Sequence, residues 1–183
     1  MPGESDYEAA IRQYNQRDLL VFWEALSNNQ LDTSFWAAGK AFEYLIVRAF
    51  EVEGADVQYP YTVRIADEVV EQIDGVVYTD GLACVLESKD WQVDIDSAPI
   101  AKLRNQLQRR PASTIGAVFS RTNYTDPAMT LAQFLAPQTI LLWRGEDIAY
   151  ALTHAQMRLG LIAKYRACVQ LGITYYDLRA GGL

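Results

Sequence analysis

Gln72-Ile73-Asp74-Gly75-Val76-Val77-Tyr78-Thr79-Asp80-Gly81-Leu82-Ala83-Cys84-Val85-Leu86-Glu87-Ser88-Lys89 holds two apolar runs, Ile73 to Tyr78 and Leu82 to Leu86, parted by Asp80-Gly81. An Asp-Gly pair between such runs predicts a two-residue hairpin turn. Thr79 then faces Leu82, and facing pairs keep a constant sum of residue numbers. Asp74 therefore falls opposite Glu87, with Lys89 two residues on and on the same face. Facing carboxylates repel unless a cation or a shared proton lies between them, and carboxylates within apolar strands are costly to bury. The pattern is that of a metal site.

A Glu-x-Lys at a strand end is also what an ordinary solvated ion pair looks like. Here both faces of both strands are apolar: Val76, Tyr78, Ala83 and Val85 on one, and Ile73, Val77, Leu82, Cys84 and Leu86 on the other. Strands of that kind lie in the middle of a covered sheet. A bulge would shift the register by one residue and send the two acids to opposite faces.

Phe35, Ala38, Phe42, Leu45, Ile46, Ala49 and Phe50, upstream of the hairpin, recur at helical spacing. This predicts a helix capped by Thr33 or Ser34 and stopped near Gly54. Glu43 sits beside its apolar stripe, with Lys40 three residues back as a rim partner and Gly39 leaving room for close approach. Asp56 to Ile65 alternates, but Pro60 confines it to an edge or a bent strand. Ser97 or Ala98 followed by Pro99 opens a helix that Pro111 ends, with Lys102, Gln106 and Arg109 on one face. Ile115 to Phe119 reads as a strand, giving a βαβ crossover from the hairpin and placing Ser120-Arg121-Thr122 at a strand's carboxyl end. Asp126-Pro127 starts a short helix, Thr139 to Trp143 is a further strand, Arg144 to Asp147 is a turn, and Ile148 to Leu171 is helical with Gly172 as its stop.

The chain has 183 residues, 50% hydrophobic and 21% charged, the range of one globular domain. We expect a single domain over 1–183, with N-terminal helices over about 1–30 and a C-terminal helix over about 148–171 packed on the core. Cys84 and Cys168 give no disulfide framework, and the acidic N-terminus lacks a signal-peptide pattern, so a cytoplasmic protein with no membrane span is expected. There is no Cys/His cluster for zinc and no Gly-rich phosphate loop; His154, the only histidine, reads as a surface or capping residue. The net charge of −7 is unevenly spread. Asp67 to Asp96 holds nine acids and one base, while Ser97 to Thr125 holds five bases and no acid. A local basic stripe meets phosphates whatever the net charge, though the same pattern suits a dimer interface.

Asp74 with Glu87-Ser88-Lys89, preceded by Gly39-Lys40-Ala41-Phe42-Glu43 on a helix, resembles the signature of the PD-(D/E)xK nuclease superfamily. The resemblance runs from about residue 33 to 145, and through Arg121 is most similar to the catalytic domains of type IV methyl-directed restriction endonucleases. Ile73 stands where the name-giving proline would be, and Gln106 is followed by Arg110 where one branch carries tyrosine. The resemblance implies the restriction-endonuclease-like α/β fold, a three-layer α/β/α arrangement with a central mixed sheet. It also implies hydrolysis of DNA phosphodiesters using Mg²⁺, with Mn²⁺ as a substitute. Asp74 and Glu87 would hold the metal, Glu43 would be an outer ligand, and Lys89 would orient water and phosphate. Gln106, Lys102, Arg109 and Arg121 would contact the DNA backbone. No DNA-reading domain is apparent, which leaves specificity to a homodimer or to a partner protein. The rival expectations are a catalytically silent module that binds DNA or protein through the same fold, and an enzyme for smaller phosphate esters.

Overall fold

The computed structural model describes residues 2–135 and 137–181. Two helices come first, α1 (Glu4–Ile11) and α2 (Gln16–Ser27), the second capped by Asn15, whose side chain accepts from the Arg17 and Asp18 amides. Asn28 ends α2, as the polar Ser27-Asn28-Asn29 break predicts. Next is α3 (Lys40–Val52), which buries Phe42, Leu45, Ile46, Ala49 and Phe50 completely. Its start differs from the expected one. The Asp32 side chain accepts the Ser34 amide at 2.9 Å in a local turn, and Gly39, at φ +79°, is the N-cap. Phe35 and Ala38 therefore lie outside the helix. Gly54 follows the last helical turn with φ +87°.

The strands are β1 (Asp56–Gln58), β2 (Tyr61–Ile65), β3 (Glu68–Ile73), β4 (Gly75–Thr79) and β5 (Leu82–Lys89). Pro60 parts β1 from β2. Strand β1 is the edge of the main sheet, while β2 and β3 pair only with each other in a separate two-stranded sheet. Ile73 thus closes β3 rather than opening β4. After α4 (Ala98–Leu107), β6 (Thr114–Ser120), α5 (Asp126–Gln133) and β7 (Ile140–Trp143) complete the sheet, in the order β1-β4-β5-β6-β7. Strands β1, β4 and β5 pair antiparallel, and β5, β6 and β7 parallel, the second arrangement made possible by the α4 and α5 crossovers.

The hairpin turn has both central residues at positive φ, Asp80 at 50° and Gly81 at 80°, as a type I′ turn needs. Pairing runs from Thr79 opposite Leu82 to Gly75 opposite Leu86 without a bulge. Alternation then sorts the sheet's two faces. Val77, Cys84, Leu86, Ala117, Phe119, Leu141 and Trp143 pack under α1, α2, α3 and the last helices. Val76, Val85, Val118, Ile140 and Leu142 pack under α4 and α5. Gly75 is small for a reason: a Cβ there would meet Val47 of α3 at 2.6 Å.

The C-terminal helix expected over 148–171 is two helices, α6 (Gly145–His154) and α7 (Met157–Leu171). The break is at Ala155, which takes φ +52°, so the Arg144–Asp147 stretch read as a turn instead opens α6. His154 is exposed in the last turn of α6, its Nδ1 2.8 Å from the Tyr150 carbonyl. Gly172 stops α7 as expected. No helix among the described residues is long and apolar enough to cross a membrane.

Candidate active site

The antiparallel pairing of β4 with β5 brings Asp74, Glu87 and Lys89 to one end of the sheet, at the carboxyl ends of the parallel strands. Asp74 lies in the one-residue link between β3 and β4. Its Oδ2 accepts the Ser88 amide at 2.8 Å, which ties the link to β5. Glu87 is fully buried, and each of its oxygens has an ammonium group 2.6 Å away: Lys89 Nζ at Oε1 and Lys102 Nζ at Oε2. The Lys89 contact is an ion pair without hydrogen-bond geometry. Lys89 comes from the same strand, whereas Lys102 reaches across from α4.

Glu43 projects from the first turn of α3, where its Oε2 pairs with Lys40 Nζ at 2.6 Å in a largely buried setting. The pairing with Lys40 and the approach to the acidic cluster coexist. Glu43 is near enough to add to the field at both Asp74 and Lys89.

That field is visible in the titration of the groups. Burial, then the charges of Glu87 and Glu43, push Asp74 up to about 7, against the opposing Ser88 amide and Lys102. Burial pulls Lys89 down, but Glu87, Asp74 and Glu43 outweigh it and hold the ammonium above its ordinary range.

The basic stripe is largely spent inside the molecule. Arg109 and Arg110 both pair with Glu71 of β3, the second at 2.6 Å. Arg121 pairs with Asp90 at 2.6 Å and donates from Nη1 to the Leu26 carbonyl and to Asn29, with its side chain nine-tenths buried. Gln106 is buried and donates to the Gln72 carbonyl. Two of the residues expected at the DNA backbone are therefore turned inward. Gln106 falls on the half of α4 that packs against the sheet, and Arg121 is held by Asp90 at the end of β5. Lys102 and Arg109 keep exposed arms, with side chains 42% and 58% accessible, and Arg104 is exposed with no ion pair among the described residues. Sequence reasoning missed the Lys102–Glu87 pair. Its signal was the crossover itself, which lays α4 over the face that carries Glu87.

Among the described residues, no three His, Cys, Asp or Glu side chains converge as a ready metal cage. The donor chemistry still fits a hard divalent cation. Asp74 and Glu87 offer carboxylate oxygens. Burial, and after it the charges of Glu87 and Glu43, disfavour ionised Asp74, a cost that a bound cation would offset.

No curated protein matches the chain closely enough to count. A solved protein of unknown function, AF1548, is similar in structure, at 18% identity and a TM-score of 0.46, over 56% of each chain. The model of a restriction endonuclease family, the Mrr catalytic type, matches residues 37–152, which span α3 to α6 and every strand. The chain belongs to this restriction endonuclease family, a branch of the PD-(D/E)xK nucleases with the α/β sheet described above.

Proposed function

We propose that this protein hydrolyses phosphodiester bonds of DNA with a divalent ion, Mg²⁺ or in its place Mn²⁺, held by Asp74 and Glu87. The observation that carries the reading is two buried carboxylates and Lys89 brought to one point by β4 and β5 in a chain of a nuclease family. A bound divalent ion supplies Lewis-acid stabilisation of the phosphate and lowers the pKa of a water. Lys89, kept charged by its acidic neighbours, orients that water and the scissile phosphate. Glu43 is the outer acid, reaching the cluster from α3. The exposed arms of Lys102 and Arg109 meet flanking phosphates, where they add affinity that falls with salt. Gln106 and Arg121 position α4 and the end of β5 instead. Sequence choice is left to a second copy or a partner protein.

One observation favours the silent binding module: both oxygens of Glu87 are taken by lysines. A single assay separates the readings. Supercoiled, linear and methylated DNA are incubated with wild-type protein and with Lys89→Ala, with and without Mg²⁺. Metal-dependent cutting by the wild type alone upholds the nuclease reading. Retarded but intact DNA in every lane upholds the module.

A further inference from the structure

Resting on the nuclease reading, we propose that Lys102 is a displaceable cation on Glu87. A substrate phosphate draws its ammonium off Oε2 and opens that oxygen to the metal, so that metal and DNA binding are coupled.

The two lysines on Glu87 are unequal. Lys89 is two residues away on the same strand, and its side chain is 24% accessible. Lys102 belongs to another element, and its side chain is 42% accessible while its Nζ sits 2.6 Å from a carboxylate that is fully buried. Its stem thus runs from the surface of α4 down to the acid, and a rotation about that stem returns the ammonium to water. Once outside, it finds no acid on its own helix. The positions one turn away are Ala98, Pro99, Asn105 and Gln106, and Ser97 to Thr125 contains no carboxylate at all. The acids within reach belong to the site it has left, so beyond the cluster an anion from solution is its partner, and a nucleic-acid phosphate is the anion this family meets.

Glu87 cannot simply be left behind. A buried carboxylate that loses one of its two cations is strongly destabilised, so departure of Lys102 is favourable only if another positive charge arrives. A divalent ion is such a charge, and Oε2 is the oxygen it gains. Metal alone has to displace Lys102 into water; metal with DNA exchanges one ion pair for two. By reciprocity each ligand strengthens the other.

The test is Mn²⁺ binding followed by EPR, which reads the free ion, on wild type, Lys102→Gln and Lys102→Arg without DNA. Binding of a phosphorothioate-linked duplex with and without Mn²⁺ is then followed by fluorescence anisotropy. Lys102→Gln should bind Mn²⁺ about tenfold tighter than wild type, and Lys102→Arg no tighter. Mn²⁺ should tighten duplex binding about tenfold for the wild type, and clearly less for Lys102→Gln. If Lys102→Gln unfolds without metal, recovery of its circular dichroism on adding Mn²⁺ supports the exchange, and no recovery overturns it. Equal Mn²⁺ affinity in wild type and Lys102→Gln also overturns it, and where wild type cuts plasmid DNA the nuclease reading survives. Absence of both cutting and Mn²⁺ binding in every protein overturns the two together.

Discussion

Glu87 and Asp147 are both completely buried carboxylates beside lysines, and they are held in opposite ways. Asp147 accepts the Leu178 amide at 3.1 Å on Oδ1. On Oδ2 it takes the Arg144 amide at 3.1 Å and Lys164 Nζ at 3.0 Å. Lys164 is itself buried, donates to the Tyr176 carbonyl and lies over the Trp143 ring at 5.3 Å. Arg144 Nε adds a longer contact to Oδ2 at 3.4 Å, so two backbone amides share the carboxylate with two side-chain cations, and the network straps the segment after α7 onto α6. Around Glu87 the partners are two lysine side chains, one of them reaching in from the surface. A structural buried charge and a poised one are thus distinguished by what holds them. Backbone partners cannot leave, whereas an exposed lysine arm can.

The largest effect expected from this contrast is on stability. Lys164→Met strips the fully buried cation from Asp147, leaving it only the longer Arg144 contact at 3.4 Å and its backbone amides, and should cost about 3 kcal/mol in denaturant unfolding. Lys102→Gln should cost much less in the presence of Mg²⁺. A Lys164→Met protein as stable as the parent would show that Asp147 does not depend on Lys164.

Next in size is the effect on cleavage. Lys89→Ala should slow DNA cutting by about 10²–10³-fold, the usual loss when one preorganised donor to a developing charge is removed. Its unfolding midpoint in Mg²⁺ should stay close to that of the parent. Cutting at the parental rate would remove Lys89 from the mechanism.

The pH dependence of stability should be smaller per unit and runs in a set direction. Asp74 is raised to about 7 in the folded protein from an ordinary carboxylate value, so between those limits the folded state holds more protons than the unfolded one. Its contribution is full below about pH 4 and is lost as the pH rises toward 7, with a slope of at most about 1.4 kcal/mol per unit. Asp74→Asn should flatten that decline, and Mg²⁺ should flatten it in the parent. Urea melts at pH 5 and 7 decide the matter, and equal slopes for parent and variant would contradict it.

Smallest is Arg109→Ala. Its side chain is more than half exposed although it pairs with Glu71, which Arg110 also holds. Stability should hardly change, because exposed pairs contribute little. The log–log salt slope of DNA binding should fall by about one if Arg109 meets a phosphate. An unchanged slope would confine Arg109 to its pair with Glu71.

Much of the sheet was legible because its signals are local. Asp80-Gly81 gave the turn and hence the register of β4 and β5, Pro99 the start of α4, and the apolar runs β6 and β7. What escaped has no local mark. The β2–β3 turn uses Ala66 and Asp67 at positive φ, without glycine, and Ala155 does the same between α6 and α7. Thr33 and Ser34 look like caps, but the Asp32 side chain spends the Ser34 amide on a turn. Within the candidate site, the acids and Lys89 lie on one hairpin and could be placed by counting. Lys102 could not, because its 15-residue distance from Glu87 is closed only when α4 folds over the sheet.

That distance also sets an order of events in time. The β4–β5 hairpin is a local element that forms in about 1–10 μs, while parallel pairing with β6 must wait for closure of the whole crossover. The chain therefore passes through states in which Asp74 and Glu87 have already met and Lys102 has not yet arrived, with Lys89 the one cation at hand. Assembly of this end of the sheet should proceed faster where protons or divalent ions stand in for the late lysine. Stopped-flow refolding that ran no faster at pH 5, or in Mg²⁺, than at pH 7 without metal would show that the hairpin and the crossover close together.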